Sequence, residues 1–367
     1  MPNLIDLVGS FDNSESPRQS LYSIEKLRDK IKSTNKVVFF TGAGFSKAWS
    51  ESYPAGFELF SIADVSDRNY NFFYFAKEMG ILFPEREDFD DDYAFSKACY
   101  EFFKSIKFHL DIYNRYPSLM ASFLDRTTIF ALEREIIDFI KARFSSFVGE
   151  SELTPDRPAD SELSAQAKNL IEFFNSFISE DKEVSFVTTN YDFVIEKILD
   201  SKNRDDICLN RGLINLIDFS AKRWTKNRVS LFKINGGFEI DGCNDSININ
   251  YSFANSKSNI ILPSQEQNYD SKYFKSVFLK SASKLRDANL LVFIGYSLPT
   301  EDHTIRFLLK NFIDSRHTDK EIIVVGRSAS SAKRIRDNVA LLYPQLESEE
   351  AIFVLDGSFN ELVKEKI

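Results

Sequence analysis

Two glycines and a serine follow a run of β-branched and aromatic residues in KVVFFTGAGFS (36–46). Glycine at 42 and 44 lets backbone N–H groups approach a phosphate, and a helix starting there would add its positive N-terminal end. Gly42, Ala43, Gly44, Phe45 and Ser46 are therefore candidate phosphate-binding residues. The same glycines suit a plain tight turn, and a full dinucleotide fingerprint would need glycine where Lys47 stands. This motif alone leaves both readings open.

Three other segments also bring small or polar residues to the end of an apolar run. FVTTNYDFVIEKIL (186–199) delivers Asn190 and Asp192. LLVFIGYSLPTEDHTIRFLL (290–309) delivers Gly295, Tyr296 and Ser297, with Asp302 at a helix start, and IIVVGRS (322–328) delivers Gly326, Arg327 and Ser328. Ligands of open α/β sheets bind outside the carboxyl ends of the strands, so four such endings converge on one expected site. Asn190 and Asp192 could also serve as caps of the helix that follows them.

Strands are expected at 36–40, 184–188, 230–234, 259–262, 290–294, 322–325 and 351–355. Several are apolar on consecutive residues, as in parallel sheets covered on both faces. Between them lie helical patterns such as Phe274, Val277, Phe278 and Leu285. The chain reads as α/β: a Rossmann-like, mostly parallel doubly wound sheet with a large helical insertion. Residues 1–56 form the first part of the sheet domain, 57–180 the insertion and 181–367 the remainder. Within the insertion, Ile129, Leu132, Ile136, Ile140, Phe144 and Phe147 mark one amphipathic helix, and Leu163, Ala167, Leu170, Phe174 and Ile178 another. EREDFDDD (85–92) reads as a solvated loop and ESELTPDRPAD (150–160) as a flexible connector.

Composition narrows the partners. A net charge of −9 argues against broad nucleic-acid binding. There is no apolar run long enough to span a membrane and no signal-peptide pattern, so a cytoplasmic protein is expected. Three scattered cysteines, Cys99, Cys208 and Cys243, fit a reducing compartment and offer no zinc site. The 36 phenylalanines predict an aromatic core.

TGAGFS, TTNYD, a Lys–Ile–Asn–Gly strand end, GYSLPTEDHTIRFLL and DGSFNEL, in that order, resemble the sirtuin-like NAD-hydrolysing domains of bacterial anti-phage defence systems. The resemblance implies a Rossmann-like sheet that binds NAD as substrate and cleaves its nicotinamide–ribose bond without a metal. It further implies that Ala43, Gly44 and Phe45 flank the diphosphate with Ser46 close by, and that Asn190 and Asp192 lie near the nicotinamide ribose. Gly295, Ser297 and the Gly326–Arg327 turn would hold the adenosine half. It also implies a stand-alone effector paired with a HerA-type ATPase. Deacylating members carry a four-cysteine zinc module that this chain cannot build. Where the family reads Lys–Leu–His–Gly, LFKINGGFEI (231–240) places Asn235, which cannot take a proton at neutral pH. Of the histidines, His109 reads as structural, His317 carries no signal and His303 stands near the expected ligand edge. Homo-oligomerisation through the Phe-rich insertion is expected, because aromatics are favoured at interfaces.

Overall fold

The computed structural model describes residues 21–62, 70–178, 182–201, 203, 209–211, 213–214, 218–219, 228–243, 246–264, 267, 269–300, 302–313, 319–355 and 357–364. Its strands are β1 (Leu21–Tyr22), β2 (Lys36–Thr41), β3 (Glu183–Thr188), β4 (Leu213–Ile214), β5 (Asp218–Phe219), β6 (Val229–Lys233), β7 (Gly236–Cys243), β8 (Ser246–Ile249), β9 (Ser258–Ile260), β10 (Leu290–Ile294), β11 (Glu321–Val325) and β12 (Ile352–Leu355). Seven of them form one sheet in the order β1-β12-β11-β10-β2-β3-β6. Every pairing in that sheet is parallel.

Alternate residues of the central strands enter two different cores, which is why the strands read as unbroken apolar runs. Val37, Phe39, Val184, Phe186, Leu290 and Val292 face one core. Val38, Phe40, Val187, Leu291 and Phe293 face the other, beneath helices Lys272–Asp287, His303–Lys310 and Ala329–Leu342. Helices Asn71–Glu78, Asp92–Arg115, Arg126–Phe147 and Ala165–Asn175 occupy the chain between β2 and β3. Their buried faces are continuous with the first core. The aromatic expectation is met there: Phe72, Phe103 and Phe139 contact one another with ring centroids 5.2–5.8 Å apart.

Register decides what the sheet presents. Lys233 pairs with Thr188, Thr188 with Thr41, Thr41 with Ile294, and Ile294 with Val325. The last residues of five neighbouring strands thus stand in one row, and the loops after them leave together. From β2 the chain proceeds outward to β3 and β6, then returns to β10 on the other side of β2. The crevice between the carboxyl ends of β2 and β10 is therefore the topological switch point, the preferred ligand position of doubly wound sheets.

Two expectations are corrected. The segment at 259–262 does not join the parallel sheet; β9 pairs antiparallel with β7 in a separate sheet with β8. Nor is 150–160 a free connector: Glu150–Leu153 is a 3-10 turn, and the Glu152 carboxylate accepts from Trp49, Tyr53 and the buried Lys197. Isolated polar residues in a Pro-containing stretch look like solvated filler, but here they satisfy buried donors. The acidic run at 85–92 has a local role, as Asp91 caps helix Asp92–Arg115 and Arg86 pairs with Asp92.

Candidate functional site

β2 runs through Gly42 into a short helix, Ala43–Trp49. The two glycines are demanded first by packing. A Cβ on Gly44 would lie 2.8 Å from Gly295 Cα, and one on Gly42 2.8 Å from Gly295 O. Gly295 has φ +68° and could carry no side chain, because its Cβ would fall 2.2 Å from Phe45 N. The loops after β2 and β10 are thus pressed together at the switch point.

That contact uses the amides a phosphate would need. Gly42 N donates to Ile294 O (3.2 Å), Gly44 N to Gly295 O (3.0 Å) and Phe45 N to Gly42 O (2.8 Å). The Ala43 N–H has no acceptor among the described residues. The Phe45 ring lies in the core between Phe174 and Phe359, so only its backbone can face a ligand.

Beside this turn, one hydrogen-bonded array joins Asn190, Ser46 and Asp192. Asn190 Nδ2 donates to Gly42 O (2.9 Å) and Ser46 Oγ (2.8 Å). Ser46 Oγ donates to Asp192 Oδ2 (2.6 Å), and Asp192 Oδ1 accepts from Val194 N (3.0 Å). Because the Gly42 carbonyl can only accept, the amide of Asn190 must turn its NH2 inward. Asn190 is half-buried, and its Oδ1, without a donor among the described residues, is left as a fixed acceptor on the side away from the array. Asp192 thus binds the first amide of helix Val194–Leu199, whose N-cap position is Phe193, while its other oxygen holds Ser46. Burial pushes the Asp192 carboxyl above its ordinary value, against the opposing pull of Ser46, Val194 N–H and Lys233.

Asn235 stands in the turn between β6 and β7. Its carbonyl accepts from Ile261 N (2.8 Å), and Tyr191, next to Asn190, donates to Ile261 O (3.1 Å). Tyr269 Oη lies 3.1 Å from Asn235 Oδ1 and 3.0 Å from Gln267 Oε1. One hydroxyl proton serves only one of these oxygens, so one of the two amides presents its NH2 instead. Burial, then Asp302 and Tyr191, push the Tyr269 hydroxyl upward, so it keeps its proton and acts as a donor.

The remaining residues stand around this centre. Tyr296 packs on Phe40 and donates to Asp302 Oδ2 (2.5 Å). Ser297 and Arg327 are exposed. Gly326 O accepts from Phe359 N (3.2 Å), which ties the start of the last described helix, Phe359–Lys364, to the sheet edge. The structure thus joins Gly42, Ser46, Asn190 and Asp192 by direct bonds, packs Gly44 and Gly295 against each other, and leaves Ser297 and Arg327 outside the array. His303 is exposed at the start of its helix, His109 bonds Ser105 O within helix Asp92–Arg115, and His317 lies outside the described residues, as does Cys208. Cys99 is buried and free.

Sequence reasoning passed over a set of buried charges below the array: Arg211, Glu196, Lys233 and Glu239. Their signal was present as single charges inside apolar runs, Lys233 ending VSLFK and Glu196 inside FVIEKIL. No group of His, Cys, Asp and Glu among the described residues could hold a metal, and no helix among them is long and apolar enough to cross a membrane.

The chain is similar to a solved structure described as "Structural Basis for the Mechanism and Regulation of Sir2 Enzymes", with 13% identity over 93% of each chain and a TM-score of 0.41. A second, a Sir2 protein in complex with the inhibitor EX-527, 2'-O-acetyl-ADP-ribose and a deacetylated p53 peptide, is 12% identical over 89% of this chain and 99% of that one, with a TM-score of 0.35. No curated protein sequence matches. Residues 184–348, which carry Asn190, Asp192, Asn235, Gly295, Asp302 and Arg327, match the family model described as the SIR2-like domain.

Proposed function

We propose that the protein binds NAD across the switch point and belongs functionally with enzymes that hydrolyse its nicotinamide–ribose bond. The observation that carries this reading is the Asn190–Ser46–Asp192 array beside the Gly44–Gly295 contact. The SIR2-like match over 184–348 supports it. Such hydrolysis breaks the C1′–N bond, whose electron pair leaves with nicotinamide. Water adds at C1′ and releases a proton, giving ADP-ribose. The positive charge that develops on the ribose favours a nearby anion and a held water. Asn190 Oδ1 is a fixed acceptor for that water or for a ribose hydroxyl. Asp192 supplies negative charge behind it through Ser46. For the diphosphate, Ala43 N–H is the available backbone donor, so exposed groups such as Ser297 and Arg327 would share the load.

A second reading has its own observation. Asn235 and the proton-retaining Tyr269 offer no base where the resembling family has histidine, which favours a module that binds NAD or ADP-ribose with little turnover. The anti-phage role and a HerA-type ATPase partner rest on the resemblance. Exposed Tyr74, Leu82, Leu119 and Phe130 on the insertion support self-association there. Light scattering tests that last point, and a stable monomer at micromolar concentration overturns it.

The deciding experiment measures nicotinamide release from NAD by the chain and by Asn235→His, each with and without a HerA-type ATPase. Greater release by Asn235→His is expected. Failure of both forms to bind NAD by calorimetry overturns the reading, and binding without release by either favours the non-catalytic module.

A further inference from the structure

Beneath the array, four charged side chains close a ring that is almost wholly removed from water. Lys233 and Glu196 are each 1% exposed, Glu239 0% and Arg211 5%. The Lys233 ammonium reaches Glu196 Oε1 at 2.8 Å and both Glu239 oxygens at 3.0 Å. Arg211 pairs with Glu196 Oε1 (3.1 Å) and with Glu239. Two cations and two anions balance one another. Replacing such a ring by apolar residues of similar volume often costs no stability, so stability alone does not account for it.

Its connections point elsewhere. Lys233 spends its third hydrogen on the main-chain carbonyl of Asp192, at 2.5 Å. Glu196 lies in the first turn of the helix whose first amide, Val194 N, donates to Asp192 Oδ1. Lys233 is two residues before Asn235, and Glu239 lies four residues after it, on β7. Phe238 N, between them, donates to Tyr191 O (3.1 Å). One rigid ion ring therefore grips both loops that carry polar residues to the sheet edge.

We infer that Lys233, Glu196, Glu239 and Arg211 are positioning residues that fix the Asn190–Asp192 loop and the Asn235 turn relative to each other, so that the site opposite the ribose is preorganised. The inference rests on the functional reading above for what the site binds, but not for what the ring does to Asp192. Around Asp192 stand Ser46 and Tyr53 from the segment after β2, Glu196 and Lys197 from the helix that follows it, and Lys233 from β6. Lys233 draws its titration down and Glu196 draws it up.

The test follows the Asp192 carboxyl by 13C NMR, assigned with Asp192→Asn, in the full chain and in Lys233→Met, Glu196→Gln and Glu239→Gln, with NAD affinity measured by calorimetry. The Asp192 midpoint should rise in Lys233→Met and fall in Glu196→Gln, and NAD should bind about ten-fold more weakly in each. Lys233→Met combined with Glu196→Gln should return the midpoint toward its original value. The two Gln variants are isosteric and keep the question answerable if Lys233→Met does not fold. Loss of thermal stability with an unmoved Asp192 midpoint, or movement in the same direction in both variants, overturns the inference. If the unaltered chain does not bind NAD, the functional reading fails while the titration still decides the role of the ring.

Discussion

Gly295 sits with φ +68° directly against Gly44, so close that neither can accept a methyl group without moving the other loop. Gly295→Ala combines left-handed backbone strain with a Cβ 2.2 Å from Phe45 N. Together these should cost roughly 2–5 kcal/mol. Gly44→Ala keeps ordinary backbone angles and should cost less. Denaturant unfolding of both variants checks the order, and a Gly295→Ala protein as stable as the parent would mean that the loops separate freely.

Ser46 is the hub between an amide and a carboxylate. Ser46→Ala leaves one Asn190 hydrogen without its acceptor and Asp192 Oδ2 without its donor. An unsatisfied buried group costs about 1–3 kcal/mol. NAD affinity should fall more than stability alone explains, because Asn190 is then held by the Gly42 carbonyl alone and Asp192 loses its link to it. Calorimetry well below the unfolding temperature separates the two effects; unchanged affinity with lowered stability would assign Ser46 to the core only.

Much of this arrangement was legible in the sequence, and the reason is physical. The strands of a parallel sheet covered on both faces must be apolar at consecutive positions, so β2, β3, β10 and β11 announced themselves. Glycine, asparagine and aspartate at their ends marked the edge where Asn190, Ser46 and Asp192 meet. The residue partners were not legible. Nothing local says that Gly44 must touch Gly295, or that Glu152 lies beside Lys197, because those distances depend on register and on the return crossover to β10. The small antiparallel sheet was missed since β7 carries Gly236, Gly237 and Gly242, which weaken any strand pattern. The ion ring stayed hidden because a single charge inside an apolar run looks like a surface position until its counter-charge is found.

The pH dependence of stability has a defined sign. Burial raises the folded-state value of Asp192 above that of the unfolded chain, about 3.9. Its contribution is then fully present below that unfolded value and is lost as pH rises through the folded one, because the native state holds the proton longer. Relative to Asp192→Asn, the parent should therefore lose stability as pH rises above about 4, and the difference should level off beyond the folded value. Glu239 runs the other way. Burial alone would raise it, but Lys233 and Arg211 hold it below the usual carboxylate range, so its contribution is present above the unfolded value and fades as pH falls. Unfolding curves of Asp192→Asn and Glu239→Gln from pH 3.5 to 8 should slope oppositely against the parent. Parallel slopes would remove Asp192 as a carboxyl raised by burial.

Glu152 gathers three donors on one oxygen: Trp49 Nε1 at 3.1 Å, Tyr53 Oη at 2.6 Å and Lys197 Nζ at 2.7 Å. Lys197 is 0% exposed, and its other hydrogen-bond partner is the main-chain carbonyl of Ser151. Removing the carboxylate leaves a buried ammonium without its counter-charge, a change that costs about 3–5 kcal/mol. Burial already pulls the Lys197 ammonium below its ordinary value, with Glu152 opposing that pull. Glu152→Ala should thus drop stability steeply near neutral pH and recover part of it in alkali, where Lys197 sheds its proton. The double variant Glu152→Ala with Lys197→Met should be more stable than Glu152→Ala alone, because no charge is then stranded. Denaturant midpoints of the three proteins at pH 7 and pH 10 decide the matter. If the double variant is no better than the single one, Glu152 acts through Trp49 and Tyr53, and the lysine pair contributes nothing of its own.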